Sequence, residues 1–561
     1  MQTNWPSLWH DLSNKEKFLL YFFGLAILGS IMALGIKLYY ANTLIAPALG
    51  GTHIEAALGI PRFINPILSQ ISDSDRDISR LVYSSLMKYN KEGKLVPDLA
   101  ENYTIEEDTL YTFKLKKDIL WHDGQPVTAD DVIFTIRLIQ DPKYASPIRL
   151  NWQGVEIEKV DDNTVSFKLT SPYSPFLENT TVGILPKHIW ENVPPKSFPL
   201  AEANLQPIGS GPYKFEKFQK DSTGNIKSYS LKINDKYYPT PYIERITFKF
   251  FDSEEEALAA FKKGEVTAMN FVSGYNTAQV DYARLYKFSL PRYFAVFLNQ
   301  SKSEVLAQKE IREALSYATD REQIIDISAA GMGTPSYGPI VSELLGYNPQ
   351  IEEKYKFSLD RAIEILEENH WLDTDADGIR EKKLNNSEVS TPLKINLTTV
   401  EWPELERVMR VLKEQWEKTG AQVTTNAYTL GELQQEHIRP REYEALLFGQ
   451  LIGIDPDPFS FWHSSQKKDP GLNLSLYDNK TADKLLEEAR QTLDSKAREE
   501  KYSLFQETLV GDIPAIFLYS PNYLYPVSNK VRGIGEGKIS DPSWRFADVH
   551  EWYIDTKRIW K

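Results

Sequence analysis

No cysteine occurs anywhere in the 561 residues. Disulfides, thiolate nucleophiles and Cys-ligated zinc or iron–sulfur sites are therefore excluded, as is any cysteine-borne lipid anchor. Histidine is scarce: there are eight, and no two stand four residues apart. Basic residues are outnumbered, 64 against 78 acidic, which leaves a formal net charge of −14. That balance argues against a broad nucleic-acid surface, which needs clustered Lys and Arg, although it leaves room for a local basic patch. The motifs of common catalytic sites are also missing: no G-x-S-x-G elbow, no G-x-x-x-x-G-K phosphate loop and no H-E-x-x-H zinc pair. His122, in Trp121-His-Asp-Gly124, reads as a turn residue rather than a base. Carboxylates are numerous enough for a glycosidase-type acid/base pair, but no spacing singles one out. A non-enzymatic protein without a cofactor is the expectation.

What is present begins with size. A chain this long exceeds what one hydrophobic core supports, so several lobes are expected. The 42% hydrophobic and 25% charged content is that of a folded globular protein. Thirty tyrosines and twelve tryptophans supply amphipathic rings for a core and for a cleft. Phe18 to Ile36 is an uncharged, mostly apolar run of 19 residues. As a helix it spans roughly 28 Å, close to the ~30 Å hydrocarbon core of a bilayer. Lys15 and Lys17 precede it and Lys37 follows, so the charge bias is weak. The large polar bulk after the run favours a cytoplasmic N-terminus (1–17), a transmembrane anchor (18–37) and a short tether (38–52). The competing reading is a cleaved signal peptide with a small-residue site near Ala46 and Ala48, for which the apolar run is long.

From about residue 53 the pattern is mixed α/β. Tyr111–Leu115, Val165–Leu169 and Ile246–Phe250 alternate with period two and predict strands. Thr128 suits a helix N-cap with Asp131 completing a capping box, and Glu254–Lys263 opens acidic, closes basic and meets Gly264. Ile311–Ile327 and Leu405–Lys418 carry helical stripes. Asp373, Asp375 and Asp377, followed by Gly378, match the first half of a calcium loop. Leu384 stands where an EF-hand needs its bidentate Glu, so the choice lies between a structural calcium ion and a plain Asx-rich turn between a helix 359–370 and a strand at 393–398.

Several segments, in order, resemble the large binding proteins of peptide and nickel transporters, solute-binding protein family 5. They are Tyr83–Ala100, Tyr111–Leu115, Trp121–Val132 (WHDGQPVTADDV, with Trp where the family usually has Phe), Ile184–His188 (ILPKH), Pro207–Tyr213 (PIGSGPY), Phe297–Asn299 and Ile311–Arg321 (IREALSYATDR). The resemblance covers about residues 53–555. It implies an α/β, two-lobed periplasmic-binding-protein fold with an extra small domain on lobe I. Lobe I is expected from 53–75, 205–285 and 516–561, the extra domain from 76–204, and lobe II from 286–515. The two glycines around Ser210 are expected to adopt backbone angles that other residues resist.

The resemblance also implies ligand capture between the lobes. In peptide-binding members an Asp in a W-x-x-D-x-x-[DE]-P-type segment accepts the ligand's α-ammonium. Here the segment reads Ile454-Asp455-Pro456-Asp457-Pro458. Its spacing departs from the pattern by about a residue, so either Asp455 or Asp457 fits the role, against a reading of D-P-D-P as a surface turn. Phe459, Phe461 and Trp462 are candidates for the cleft wall or for core, and Trp402 is a further cleft candidate. The implied partners are a peptide or other small ligand, ABC permease subunits and a membrane, with the body a monomer on the extracytoplasmic side and no nucleic acid. Nickel-chelate or oligosaccharide capture, a membrane-anchored sensor and an extracellular hydrolase are the alternatives.

Overall fold

The computed structural model describes residues 12–561 except 272, 343 and 385–386; the first eleven residues of the expected cytoplasmic segment lie outside it. The chain opens with a 29-residue helix, α1 (Asn14–Asn42), capped by Ser13 with Glu16. None of its residues is buried, and by length and composition it is able to cross a membrane. The expected tether is not a loose linker. It continues α1 as far as residue 42 and then forms strand β1 (Thr43–Pro47).

Next come β2 (Thr52–Leu58), α2 (Asp73–Val82), β3 (Arg245–Phe251), β4 (Ala268–Met269), β5 (Arg284–Ser289), β6 (Arg292–Leu298), β7 (Lys394–Val400), α3 (Pro403–Glu417), β8 (Gln422–Tyr428), β9 (Ala445–Leu451), β10 (Ala515–Val527) and β11 (Thr556–Trp560). Between α2 and β3, strands 100–106, 110–115, 164–168 and 156–161 form a separate four-stranded antiparallel sheet in that order. Helix Ala129–Gln140 accompanies it, and the Asp131 carboxylate accepts the Thr128 amide at 2.9 Å, the capping box read from sequence. The period-two segments all prove to be strands. The stripe Ile311–Ile327 divides into helices Lys309–Tyr317 and Arg321–Ala329, because Asp320 caps the second through the Gln323 amide.

One sheet runs through the whole body in the order β8-β7-β9-β6-β10-β4-β2-β3, followed by strands 226–233 and 213–220. Its centre is β10. Residues 515–519 of that strand pair with β6, and residues 522–527 pair with β5. Two hydrophobic cores meet at this strand. One takes in Tyr293 to Tyr519, and the other takes in Ala57 to Leu290 together with Tyr523 to Trp552. The chain thus passes between cores twice, at Leu290–Tyr293 and at Tyr519–Tyr523, which defines two lobes joined by paired strands. The four-stranded sheet contributes Tyr111, Phe113, Val165 and Phe167 to the same core as β2 and β3.

Strand direction places the cleft. β2 is parallel to β3 and β4, and β4 is antiparallel to β10, so all three run toward the crossing from one lobe. On the other side β9 is antiparallel to β6, which is antiparallel to β10, while β7 is parallel to β8 and β9. The carboxyl ends of both sets therefore face each other across the crossing. In open α/β sheets that is where ligands bind.

Two buried devices hold the first lobe. Arg545 donates to both Asp77 oxygens at 2.8 and 2.5 Å and to Glu55 at 3.0 Å, while Tyr525 and His53 sit 2.7 and 2.8 Å from the other Glu55 oxygen. Burial pushes the Glu55 carboxyl up, but Arg545 and the His53 and Tyr525 hydrogen bonds outweigh it and keep the group charged. The second device is Pro207–Tyr213. Neither Gly209 nor Gly211 has a positive φ; the reason for glycine is close approach, since a Cβ at these positions would lie 2.0 and 2.7 Å from the Val82 and Leu81 carbonyl oxygens. His122 completes the knot, accepting the Gly209 amide at 3.1 Å through Nδ1 and donating from Nε2 to the Gly211 carbonyl at 3.1 Å. Burial lowers its pKa to about 4, so it stays neutral as that pattern requires.

Two stability outcomes follow. Arg545→Ala strands two buried carboxylates and is expected to cost about 3–5 kcal/mol in urea denaturation. Gly209→Ala is expected to cost about 1–3 kcal/mol, whereas Gly431→Ala, with nothing within 4 Å of the added Cβ, leaves the midpoint unchanged. Equal midpoints for the two alanine variants would refute the close-approach argument.

Candidate functional site

The residues leaving the facing strand ends are Gly59 to Phe63 after β2, Asn270 after β4, Trp402 after β7, Leu430 after β8 and Ile452 to Asp457 after β9. Trp402 is 45% exposed at the N-cap of α3, on the cleft side of its lobe. The loop after β9 carries the acidic pair expected from sequence, and the structure gives each acid a different neighbourhood. Asp457 is taken by Arg490, whose Nε and Nη2 donate to it at 2.7–3.0 Å, with the Tyr173 hydroxyl 3.4 Å away. An incoming ammonium would have to displace that guanidinium, so Asp457 is poorly placed for the ammonium role. Asp455 pairs with Arg498 at 3.0 Å through one oxygen, while its Oδ1 is buried with no hydrogen-bond partner among the described residues. Burial pushes its pKa up, opposed by Arg498.

Phe459 lies between the Arg490 guanidinium (4.1 Å) and the His463 ring (4.1 Å, stacked), and faces a cavity of about 390 Å³ that also reaches Leu150 and Tyr173. Trp462 is 1% exposed and packs on Phe297 and Phe517 inside the second core, which rules out a place for it on an open cleft wall. Phe459 and Trp462, three apart on a short helix, lie near one face, so sequence spacing does not separate cleft wall from core and only the packing around each ring does.

The acidic loop meets the other lobe. Glu178, on the short helix Phe176–Asn179, accepts the Asp455 amide at 2.8 Å and the hydroxyl of Tyr89. The Ser174 amide donates to the Arg490 carbonyl at 2.8 Å, and Arg498 donates to the Ser174 hydroxyl. A second contact between the lobes is made by Gly274, which lies so close to the Ala329 backbone that a Cβ would sit 2.2 Å from its carbonyl oxygen. The lobes thus touch at two places.

Behind Glu178 lies a cavity of about 230 Å³ lined by Arg76, Arg80, Tyr83, Tyr89, Trp152 and Trp544, among others. The Arg80 guanidinium lies 3.5 Å over the Trp544 ring, and it donates a long hydrogen bond of 3.4 Å to the Thr181 carbonyl. Burial lowers its pKa from the usual arginine value. Sequence reasoning missed Glu178, Arg80, Arg490 and Arg498. Only Arg80 lay beside a recognised motif; the arginines on helices Lys480–Gln491 and Ser495–Asp512 reach the site through tertiary packing alone.

Away from the cleft, the carboxylates of Asp373, Asp375 and Asp377 converge within 4.8 Å, all exposed. They accept the turn's own amides, from Gly378 to Asp373, from Asp377 to Asp375 and from Ile379 to Asp377. The donor set suits a hard cation such as calcium, and the turn closes through its own hydrogen bonds as well.

Two lobes, joined by paired strands and meeting over a cleft of polar and aromatic side chains, define a binding protein that closes around a solute. The chain belongs to the bacterial extracellular solute-binding proteins, family 5, whose profile it matches over residues 94–473. It is 30% identical over 524 residues to the oligopeptide-binding protein AppA of Bacillus subtilis, covering 91% of this chain and 92% of that one. The structure of that protein in complex with a nonapeptide superposes with a TM-score of 0.71 at 28% identity, covering 91% of this chain and all of the other. The substrate-binding protein CtaP of Listeria monocytogenes gives a TM-score of 0.77 at 28% identity, covering 90% and 99% of the two chains. NikZ of Campylobacter jejuni, in complex with Ni(L-His), gives 0.72 at 27% identity, covering 90% and 99%.

A pH dependence is built into the closed flank. Burial first, then the Asp455 charge, pushes the Glu178 carboxyl up to about 7 from its ordinary 4.5. In an opened form the carboxyl is in water and returns toward that ordinary value. The closed form therefore binds the extra proton between these limits. Closure gains as pH falls through 7 and loses that gain as pH rises above it. Solute affinity, measured by calorimetry, is expected to weaken from about pH 5 to pH 8, by at most about tenfold per unit. Glu178→Gln should flatten the profile; a wild-type profile that is already flat would show that Glu178 does not titrate on closure.

Proposed function

We propose that this protein is the extracytoplasmic solute-capturing component of an ABC importer, and that its solute is a peptide. The observation that carries the reading is Asp455 Oδ1, a buried carboxylate oxygen without a partner at the carboxyl end of β9, beside Glu178 of the other lobe. A ligand ammonium would satisfy that oxygen and offset the charge of Asp455. Arg80, over Trp544 in the adjoining cavity, offers a cation to a ligand carboxylate. Oligopeptide- and dipeptide-binding relatives make peptide the favoured solute over nickel chelates or sugars. Asp457, held by Arg490, serves instead to shape the loop and its closure on Tyr173, and Phe459 and Trp402 supply apolar wall. The expected division into lobe I, extra domain and lobe II stands as part of the same proposal.

We also infer that α1 is an uncleaved single-pass anchor, that the body is monomeric and that it delivers solute to permease subunits. Both lobes take part in gripping the solute and no group is set for catalysis.

A pooled library of short peptides is expected to raise the melting midpoint, by about 2.7 kcal/mol of stabilisation at a hundredfold excess over Kd. N-acetylated peptides should lose most of this shift, and Asp455→Asn should lose more than Asp457→Asn. No shift with any peptide, against a shift with nickel chelates or sugars, would replace the peptide reading.

A further inference from the structure

The C-terminus returns to the end of α1. β11 pairs antiparallel with β1 over five residues, from Thr43 opposite Trp560 to Pro47 opposite Thr556. The Lys561 amide donates to the Asn42 carbonyl at 2.9 Å, and Arg558 donates to the Thr43 hydroxyl at 2.8 Å and the Tyr40 carbonyl at 3.2 Å. Its guanidinium lies 4.4 Å from the Tyr40 ring centre, and Trp560 meets Tyr39 edge to face at 5.8 Å. At the other end, the Ala48 amide donates to the Asp555 carbonyl and the Gly50 amide to Tyr242, both at 2.9 Å. The link from helix to body is hydrogen-bonded along its length.

This two-stranded ribbon exposes apolar side chains that none of the described residues of the body covers. Leu44 and Ile559 stand opposite each other on one face, and Ile45 and Trp560 lie on the other, all between 43% and 69% exposed. A two-stranded ribbon is marginal alone in water, and exposed apolar edges of this kind invite aggregation unless covered. Three cations, Lys557, Arg558 and Lys561, are interleaved with them, and Lys37 precedes on the last turns of α1. Tyr39, Tyr40 and Trp560 cluster immediately beyond the apolar run that ends at Ile36. Rings of Tyr and Trp flanked by Lys and Arg are what the headgroup layer of a bilayer accommodates, with anionic phosphates facing the cations.

We propose that β1 and β11, with Tyr39, Tyr40 and Trp560, form a lipid-seated collar that embeds in the headgroup layer of the extracytoplasmic leaflet. The collar fixes the height and tilt of the solute-binding body above the membrane. The inference rests on the reading of α1 as an uncleaved anchor. The occupant follows from continuity: the ribbon is joined without a break to the one helix among the described residues able to span a bilayer, and its cations complement anionic lipid. Held in this way, the cleft presents a constant face toward the bilayer, which a flexible tether would not provide.

The absence of cysteine makes the test direct, because each introduced cysteine is the sole labelling site. The full-length protein carries a polarity-sensitive NBD label at Ile27→Cys, Leu44→Cys, Ile559→Cys or Leu200→Cys, one site at a time, in nanodiscs of mixed neutral and anionic lipid with one protein per disc. Leu200 is exposed on the body and serves as the aqueous reference. Blue-shifted emission and loss of iodide quenching at 27, 44 and 559, with 200 fully quenched, is the expected result. Lys557→Glu combined with Lys561→Glu should partly restore quenching at 559 in anionic discs and change nothing in neutral ones. Shielding at 27 with full quenching at 44 and 559 overturns the collar while leaving the anchor intact. Water-like emission at 27, or a purified chain lacking residues before 43 by mass, overturns the anchor and the collar with it. Shielding at 559 only in discs loaded with two proteins identifies a second copy as the occupant and overturns the lipid assignment.

Discussion

Everything in the body is organised by one thirteen-residue strand shared between two cores. β10 is buried along nearly its whole length, pairs with β6 in one lobe and with β5 in the other, and between them Ser520 and Pro521 pair with the short strand Gly333–Pro335. A strand cannot slip by one residue without turning its buried side chains to the wrong face. Both lobes are thus locked in register to the same segment, and the remaining freedom is bending at the two adjacent crossings. A hinge of this kind permits closure of one lobe on the other while forbidding sliding, which a binding protein that must regenerate the same closed site requires.

The same strand decides where chemistry is possible. Because β4 and β6 both run antiparallel to it from opposite sides, the parallel strands of each lobe point their carboxyl ends at the crossing. Loops leaving those ends are free of ladder hydrogen bonds and carry the polar groups of the cleft. The loop after β9 uses this freedom fully: it offers an amide to Glu178, a carboxylate to Arg490 and an unpartnered carboxylate oxygen to the interior. Buried acids and arginines occur here in near balance, which keeps desolvated charge tolerable while leaving one acceptor unmet. In the first lobe Arg545 is paired with both Glu55 and Asp77 inside the fold.

At the other end of the molecule the ribbon of β1 and β11 ties the C-terminal end of α1 to the last strand of the chain. The N-terminal helix and the last residue meet through backbone pairing and through Tyr39, Tyr40, Arg558 and Trp560. Helix α1 and the body are joined by a hydrogen-bonded ribbon, where the Pro- and Gly-containing stretch 38–52 suggested a short tether.

The sequence by itself determined the class of the fold, the apolar N-terminal helix and most local elements, because these depend on periodicity and capping within a few residues. Thr128 with Asp131 and the alternating strands were legible for that reason, whereas the two-lobed architecture was implied by the family resemblance of the ordered motifs from Tyr83 to Arg321. It also located the acidic loop at Asp455–Asp457. Only tertiary structure shows how each acid is paired, since Arg490 and Arg498 arrive from helices more than thirty residues away. It likewise decided that Trp462 is core, that Gly209 and Gly211 answer to the Val82 and Leu81 backbone rather than to their own φ, and that Glu178 faces Asp455 across the lobes. These facts are contacts between distant segments, and hydrophobic pattern records which residues are buried without recording against what.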